Sequence, residues 1–408
     1  MVGQGKGWIR TGAILRYQGG WEGAQKTEKS ALEQCEKFFP QVPGVLYLGF
    51  PWSTLIGQLE CDLPLGKRLL AALADLDSGF FKDRELITVC SHPGLLKYQK
   101  IFADAGVKHV FWSHTDNRAD RFQRWPEISL YPFPLVSEKA CEPSRHGAGR
   151  RTRLFTFIDV SRDNVLRGSW NLDVNLSLEE NSPIVEEVRG LGKTESDLGV
   201  LGESVFSLCP PRPGLSPLLL WESIELGAIP VLFPGNFLLP GDQRLWGEAT
   251  VSCSGAARDI RALPERLAVL GNDVALLERK RHALRQVRML YGADCFIYDV
   301  LKLSLSLADW SEEGSSCRPG LSYDGFSRLA KMILAEGGDN KQLSDLFIIG
   351  CSSRASTNPG EFVSHFKKND DLRKAYRIAL EGCDRKHANV MEKVLGVRKI
   401  DLSTPRRK

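Results

Sequence analysis

No run of apolar residues in the chain reaches the about 18 that a membrane-crossing helix requires, so no transmembrane segment is expected. The opening "MVGQGKGWIRTGAILRY" lacks the long apolar stretch and small-residue cleavage site of a secretory signal. The expected setting is therefore the cytoplasm. Cysteine is present, but ordered cysteine spacing is not: the ten cysteines form no C-x-x-C and no Cys/His cluster at zinc spacing. Free thiols in a reducing compartment follow. A dominant charge sign is also missing. A net charge of +4 over 408 residues argues against a nucleic-acid binder, which normally carries a basic stripe with interleaved aromatics. Internal repeats and long low-complexity tracts are absent. The G-K-T of "GLGKTES" is not a P-loop, because Glu187 stands five residues before Gly192 where that loop needs glycine.

What is there has the balance of a soluble globular protein, and 408 residues are enough for two or three domains. Up to about residue 145, buried-strand runs alternate with helical patterns. The strands are "GVLYLGF" (44–50), "LITVCS" (86–91) and "VKHVFWSH" (107–114). The helices are "PLGKRLLAALADLD" (64–77) and "GLLKYQKIFADAG" (94–106). This rhythm predicts an α/β fold with a parallel sheet. After the basic stretch "EPSRHGAGRRTR" (142–153), a second α/β unit opens with "RLFTFIDV" (153–160) and closes with the helical "ALLERKRHALRQVRMLYG" (275–292). The domains are therefore expected at 1–145 and 151–310, with a mostly helical extension and basic tail at 321–408.

The stretch "SLCPPRPGLSPLLLWESIELGAIPVLF" (207–233) holds the most chemistry. Ser216 followed by Pro217 is a helix start, and Gly227 falls where a glycine ends a helix. A helix amino end after a loop with Arg212 and Gly214 outlines an anion site. Glu222 and Glu225 share a face, and a carboxylate beside a nucleotide accepts bonds from ribose hydroxyls. The same residues equally describe one more strand–loop–helix–strand unit with solvated glutamates and a surface arginine. Both readings stand at this level. "DLD" (75–77) ends a helical pattern rather than following a strand, which sets it apart from a metal-binding D-x-D. The basic run "ERKRHALRQVR" (278–288) reads as a solvated helix face, with contact to anionic lipid or a polyanion as the alternative.

The stretch 204–233 resembles the signature of exostosin-like glycosyltransferases, a microbial-type member in its amino-terminal segments. Ser204, Phe206, Leu208, Pro210, Gly214, Ser216, Trp221, Glu222, Gly227, Ile229, Pro230 and Val231 match the family pattern. "FPWSTLIGQLE" and "TVCSHPGLLKYQKIFADAGVKHVFWSH" are similar to other segments of the family. The resemblance covers most of residues 45–310. It implies a GT-B-like pair of Rossmann-like domains facing a cleft, with the small helical extension added. It also implies inverting transfer from a nucleotide-sugar, UDP-linked in most members, to a hydroxyl of a glycan or glycolipid during polysaccharide biosynthesis. The nucleotide-sugar is a co-substrate; no cofactor and no metal are implied. Arg212, Gly214, Ser216 and Glu222 would hold the donor, with Arg153 and Arg162 as further arginines near the opening strand. Two positions depart from the family: Leu219 stands where it has arginine, and Asp159 where it often has glycine.

Inverting transfer needs a base near the acceptor hydroxyl. Ligands of open α/β sheets gather at the carboxyl ends of strands, which nominates His92 and His114, with Glu60 and Asp116 behind them. His109 lies inside a strand pattern and reads as a satisfied core or edge residue. The alternatives are a catalytically silent glycan-binding or scaffold protein of the same fold, and a nucleotide-sugar epimerase. The expected partners are a nucleotide-sugar and a glycan or lipid-linked glycan acceptor, with no nucleic acid. A peripheral membrane or partner-enzyme contact is a further alternative, with 321–408 as a docking module.

Overall fold

The structure is a computed structural model that describes residues 7–23, 26–39, 44–76, 84–115, 125–137, 151–157, 195–209, 218–233, 238–254, 262–293, 296–307 and 359–381, with isolated residues between them. The first sheet contains β1 (Trp8–Thr11), β2 (Ile14–Tyr17), β3 (Val45–Gly49), β4 (Glu85–Cys90), β5 (His109–Trp112) and β6 (Ser129–Pro132), in that spatial order. β1 is antiparallel to β2, and every other neighbouring pair is parallel. Its helices are α1 (Lys26–Phe38), α2 (Trp52–Glu60), α3 (Pro64–Ala74) and α4 (Gln99–Asp104).

β3, β4 and β5 are buried along almost their whole length, as parallel strands covered on both faces must be. Phe39, just after α1, lies with its ring 5.8 Å from that of Tyr47, and Leu32 of α1 packs over Gly49 on the same face, so α1 covers the Tyr47 face. Trp52 of α2 donates its indole N–H to Thr88 Oγ1 at 2.7 Å and stacks on Phe102 of α4 at 4.0 Å, on the opposite face. β2, β3 and β4 step in one direction while their connecting helices lie on opposite faces. The β2–β3 crossover therefore has the opposite hand to the β3–β4 crossover, an exception to the usual right-handed rule. That path lays the amino end of α1 over the carboxyl ends of β3 and β4.

The second sheet runs β10 (Val251–Ser252), β9 (Ile229–Leu232), β8 (Ser204–Cys209), β7 (Arg153–Phe157), all parallel. Against it lie α5 (Glu195–Glu203), α6 (Leu218–Leu226), α7 (Gln243–Ala249), α8 (Leu263–Asn272) and α9 (Val274–Tyr291), and α10 (Tyr298–Ser306) follows, its Tyr298 packed on Tyr291 of α9. α6 ends as its sequence predicts. Gly227 takes a φ of +72°, its N–H bonds Ile224 O at 3.1 Å, and Ala228 N–H bonds Ser223 O at 2.9 Å, which is a Schellman stop. α9 starts at Asp273, whose carboxylate accepts from Leu276 N–H at 2.9 Å. From the segment after residue 321, α11 (Pro359–Lys368) and α12 (Asp370–Glu381) are described.

The structure changes some expectations. The helix read over 94–106 is two pieces, a 3-10 turn at Pro93–Lys97 and then α4, because Tyr98 leaves the helical path with φ −114° and ψ 17°. The strand read over 107–114 is confined to His109–Trp112. A Rossmann-like unit reverses its strand order at a switch point. Among the described residues both sheets run monotonically, without such a reversal.

Candidate functional site

The most heavily hydrogen-bonded carboxylate described in the chain is Glu28, in the first turn of α1 and 2% exposed. Its oxygens take the backbone N–H of Ser53 at 3.1 and 3.0 Å and the Ser53 hydroxyl at 2.5 Å. They also take the backbone N–H of Ser91 at 2.9 Å and its hydroxyl at 3.3 Å. Ser53 lies in the first turn of α2, whose Pro51 N-cap supplies no side-chain bond. Glu28 thus satisfies an orphan donor and sits at the positive end of the α2 dipole. It holds the place where open α/β sheets take a ligand anion. Burial pushes its pKa from 4.5 up to about 7, and the bonds from Ser53 and Ser91 only partly offset that rise.

Next to this cluster lie both histidines nominated by the strand-end rule. His92 Nδ1 accepts Gly94 N–H at 3.0 Å, so Nε2 carries the proton, and it points toward Glu60 Oε2 at 3.9 Å. Burial lowers the pKa of His92, with the Glu60 charge opposing. His114 Nε2 lies 3.1 Å from the Ser91 carbonyl. A carbonyl only accepts, so Nε2 is the protonated nitrogen and Nδ1 keeps its lone pair. Burial pulls the His114 pKa down to about 4, opposed by the Ser91 bond and reinforced by nearby His92. Both rings are neutral at neutral pH. Trp112 braces them: its indole N–H donates to His92 O at 2.9 Å, and its ring centroid lies 6.3 Å from that of His114.

The second sheet approaches the same end of the first. Glu222, on α6, accepts the hydroxyl of Ser137, just past β6, at 2.9 Å. Leu238 N–H, beyond β9, bonds Thr115 O at 2.8 Å, one residue from His114. The carboxyl ends of β5 and β6 therefore face α6 and the segment after β9. A second seam joins α1 to the chain after α9. Gln34 donates to Ala293 O at 2.8 Å and accepts Phe296 N–H at 3.2 Å, while Phe296 packs on Phe133 with centroids 5.5 Å apart.

The two glutamates of the sequence motif separate. Glu222 faces the first sheet. Glu225 is a tie to α9, accepting Arg288 Nε at 3.0 Å and Ala293 N–H at 2.5 Å. Arg153 lies at the amino end of β7, paired with Glu203 at 3.3 Å, away from the strand ends that meet the first sheet. Arg151 is spent on carbonyls, donating to Leu226 O at 2.8 Å and to Ser204 O. Leu219 packs against Leu198 and Leu201 of α5. His109 sits at the amino end of β5 with both nitrogens engaged, by Tyr131 hydroxyl at 3.0 Å and Glu85 at 3.1 Å. Arg162, Arg212, Gly214, Ser216, Asp116 and Asp159 lie outside the described residues.

Sequence reasoning missed Glu28, Ser53 and Ser91. The only signal was Glu28 in the first turn of α1, where an acid ordinarily serves the helix dipole in solvent. Among the described residues no group of three or more His, Cys, Asp and Glu is arranged to hold a metal ion, and no helix is long and apolar enough to cross a membrane. Cys35, Cys61, Cys90, Cys209 and Cys253 are free thiols. Burial drives the Cys209 thiol up to about 12.

These observations define an α/β protein whose mixed six-stranded sheet and four-stranded parallel sheet meet where Ser137 bonds Glu222 and Thr115 bonds Leu238. No protein-family model matches the chain. Chloroplastic DNA polymerase I A of Oryza sativa subsp. japonica is 24% identical over 155 residues, and the match spans 35% of this chain and 15% of that relative. A chain in the crystal structure of the GtfA/B complex aligns with 14% identity and a TM-score of 0.34, over 74% of this chain and 62% of that one. Likeness of that degree does not establish a shared fold or activity.

Proposed function

We propose that the chain is an inverting, metal-independent glycosyltransferase of the exostosin-like kind, with a GT-B-like arrangement. It moves a sugar from a UDP-linked donor to a hydroxyl of a glycan or glycolipid acceptor. The carrying observation is the meeting of the two strand-end regions: Glu222 of the family-like motif reaches Ser137, and Leu238 reaches Thr115, beside His114. On this reading Glu222 grips the donor ribose from the second unit. His114 takes the acceptor proton from the first, with its unprotonated Nδ1 as the receiving atom. Glu28 already occupies the anion position of the first sheet, which favours the second unit for the diphosphate. Arg212 and the α6 amino end would there stabilise the charge that builds on the leaving group.

The test is a thermal-shift panel of UDP, GDP, ADP, CMP and their sugar conjugates, with and without divalent metal. A ligand that binds only the folded state raises the melting temperature. The expected result is a metal-independent shift with the uridine nucleotides that disappears in Glu222→Ala. An unchanged shift in that variant would remove Glu222 from the donor site. A shift with no nucleotide at all would favour a second reading, a catalytically silent scaffold. Its specific support is Leu219, which packs against Leu198 and Leu201 where the family-like motif has a diphosphate-binding arginine.

A further inference from the structure

We infer that Glu28 is the positioning residue of His114, acting through Ser91 to hold the imidazole in the one tautomer that leaves Nδ1 as the base. The inference rests on reading His114 as the base of the proposed reaction, but its geometry stands without the substrate.

Ser91 is the shared element. On one side its N–H and hydroxyl are bound by Glu28, at 2.9 and 3.3 Å. On the other its carbonyl receives His114 Nε2–H at 3.1 Å. Ser91 follows β4 directly and is fully buried, so its orientation is set by the strand and by Glu28. A second path closes the cluster: the Ser53 hydroxyl lies 3.0 Å from that of Ser91, and both meet the same Glu28 oxygen. A carboxylate with two acceptor oxygens can serve all four donors; an amide, with one acceptor oxygen, cannot.

The charged and titratable groups around the cluster do not compete with this arrangement. Tyr47 on β3 and Cys90 on β4 feel the Glu28 charge, but burial raises both far above their ordinary values and keeps them neutral. The Ser53 contact from α2 and the Ser91 contact after β4 are neutral. On the His114 side the titratable neighbour is His92, itself lowered by burial and facing Glu60. Glu28 is therefore the group of this cluster whose charge changes near neutrality, and Ser91 transmits that change to the His114 ring.

The test uses the full chain with isotope-labelled histidine, the His114 signal being assigned with His114→Gln. Ring-nitrogen shifts report the tautomer, and a pH series reports the titration, neither needing donor or acceptor. In the wild type we expect a fixed Nε2–H tautomer and a step in the His114 shifts close to pH 7, above the ring's own protonation. In Glu28→Gln that step disappears and the two nitrogens average. Ser91→Ala, which keeps the backbone groups and loses only the hydroxyl, retains the tautomer. A wild-type His114 with no step near neutrality overturns the inference, whatever the variants do. So does a Glu28→Gln chain with the wild-type tautomer. A chain that passes these tests but binds no nucleotide leaves the positioning intact and sinks the enzyme reading instead.

Discussion

Glu28 shows what happens to a carboxylate stabilised by donors rather than by a cation. Four neutral hydrogen-bond donors fix its position but do not repay the loss of hydration, so the proton is held up to about pH 7. The sign of the consequence is fixed by linkage. The folded chain keeps this proton up to about pH 7, whereas an ordinary glutamate, at 4.5, has released it. Between those values the folded state binds more protons, so stability falls as pH rises and then levels off. The size is about 3 kcal/mol, from about 1.4 kcal/mol per pKa unit. His114 works in the opposite direction. Its pKa is lowered from 6.5 to about 4, so it adds stability as pH rises through that window. Comparing variants separates the two. Glu28→Gln removes the titrating proton altogether. Urea unfolding at about pH 5 and about pH 8 should therefore find the wild type losing about 2.5 kcal/mol relative to the variant on going to the higher pH, since pH 5 already lies above the unfolded value. A constant difference across that range would place the Glu28 proton elsewhere.

At the scale of elements, the stop of α6 and the Arg151 side chain form one device. Gly227 turns the chain at positive φ, and a Cβ on it would lie 2.9 Å from Arg151 Nη2. That guanidinium holds Leu226 O and Ser204 O, joining the end of α6 to the start of β8. Gly227→Ala adds left-handed strain and displaces the guanidinium, so we expect a loss of about 3 kcal/mol. Asp273→Ala removes only the N-cap of α9 and should cost about 1 kcal/mol. Denaturant midpoints measured side by side test the ranking. Equal losses would mean that Arg151 does not depend on the glycine. The Gly227 stop and the buried strands were legible in the sequence. Gly227 follows an apolar helical run, and β3, β4, β5, β8 and β9 are short apolar runs because strands covered on both faces have no polar side to show. α1 was not legible. "KTEKSALEQCEKF" is rich in Lys and Glu and reads as solvent-facing, yet Thr27 and Glu28 are buried because the helix descends onto the strand ends. His92 and His114 were legible as positions, since each follows an apolar strand. Their tautomers depend on Gly94 N–H and Ser91 O, which only the folded chain brings to them.

For the whole molecule, the seam between the two sheets decides whether the proposed donor site is ready or must first open. Glu222 is already engaged: the Ser137 hydroxyl donates to it at 2.9 Å, and Ser137 is 5% exposed. A ribose hydroxyl that binds Glu222 competes with that contact. Binding then exchanges one bond to a carboxylate for another, and the affinity is lower than the ribose contact alone would give. Ser137→Ala removes the competitor without touching the carboxylate. A net hydrogen bond of about 1 kcal/mol corresponds to about a fivefold change in Kd. We therefore expect Ser137→Ala to bind the uridine nucleotide about fivefold more tightly than the wild type, and Glu222→Ala to lose binding. If the gain acts through Glu222, it should vanish in the double variant. Calorimetric titration of the four proteins tests this. Tighter binding that persists without Glu222 would show that Ser137 affects the seam by another route. Weaker binding in Ser137→Ala would show that the contact between the sheets preforms the site instead of blocking it.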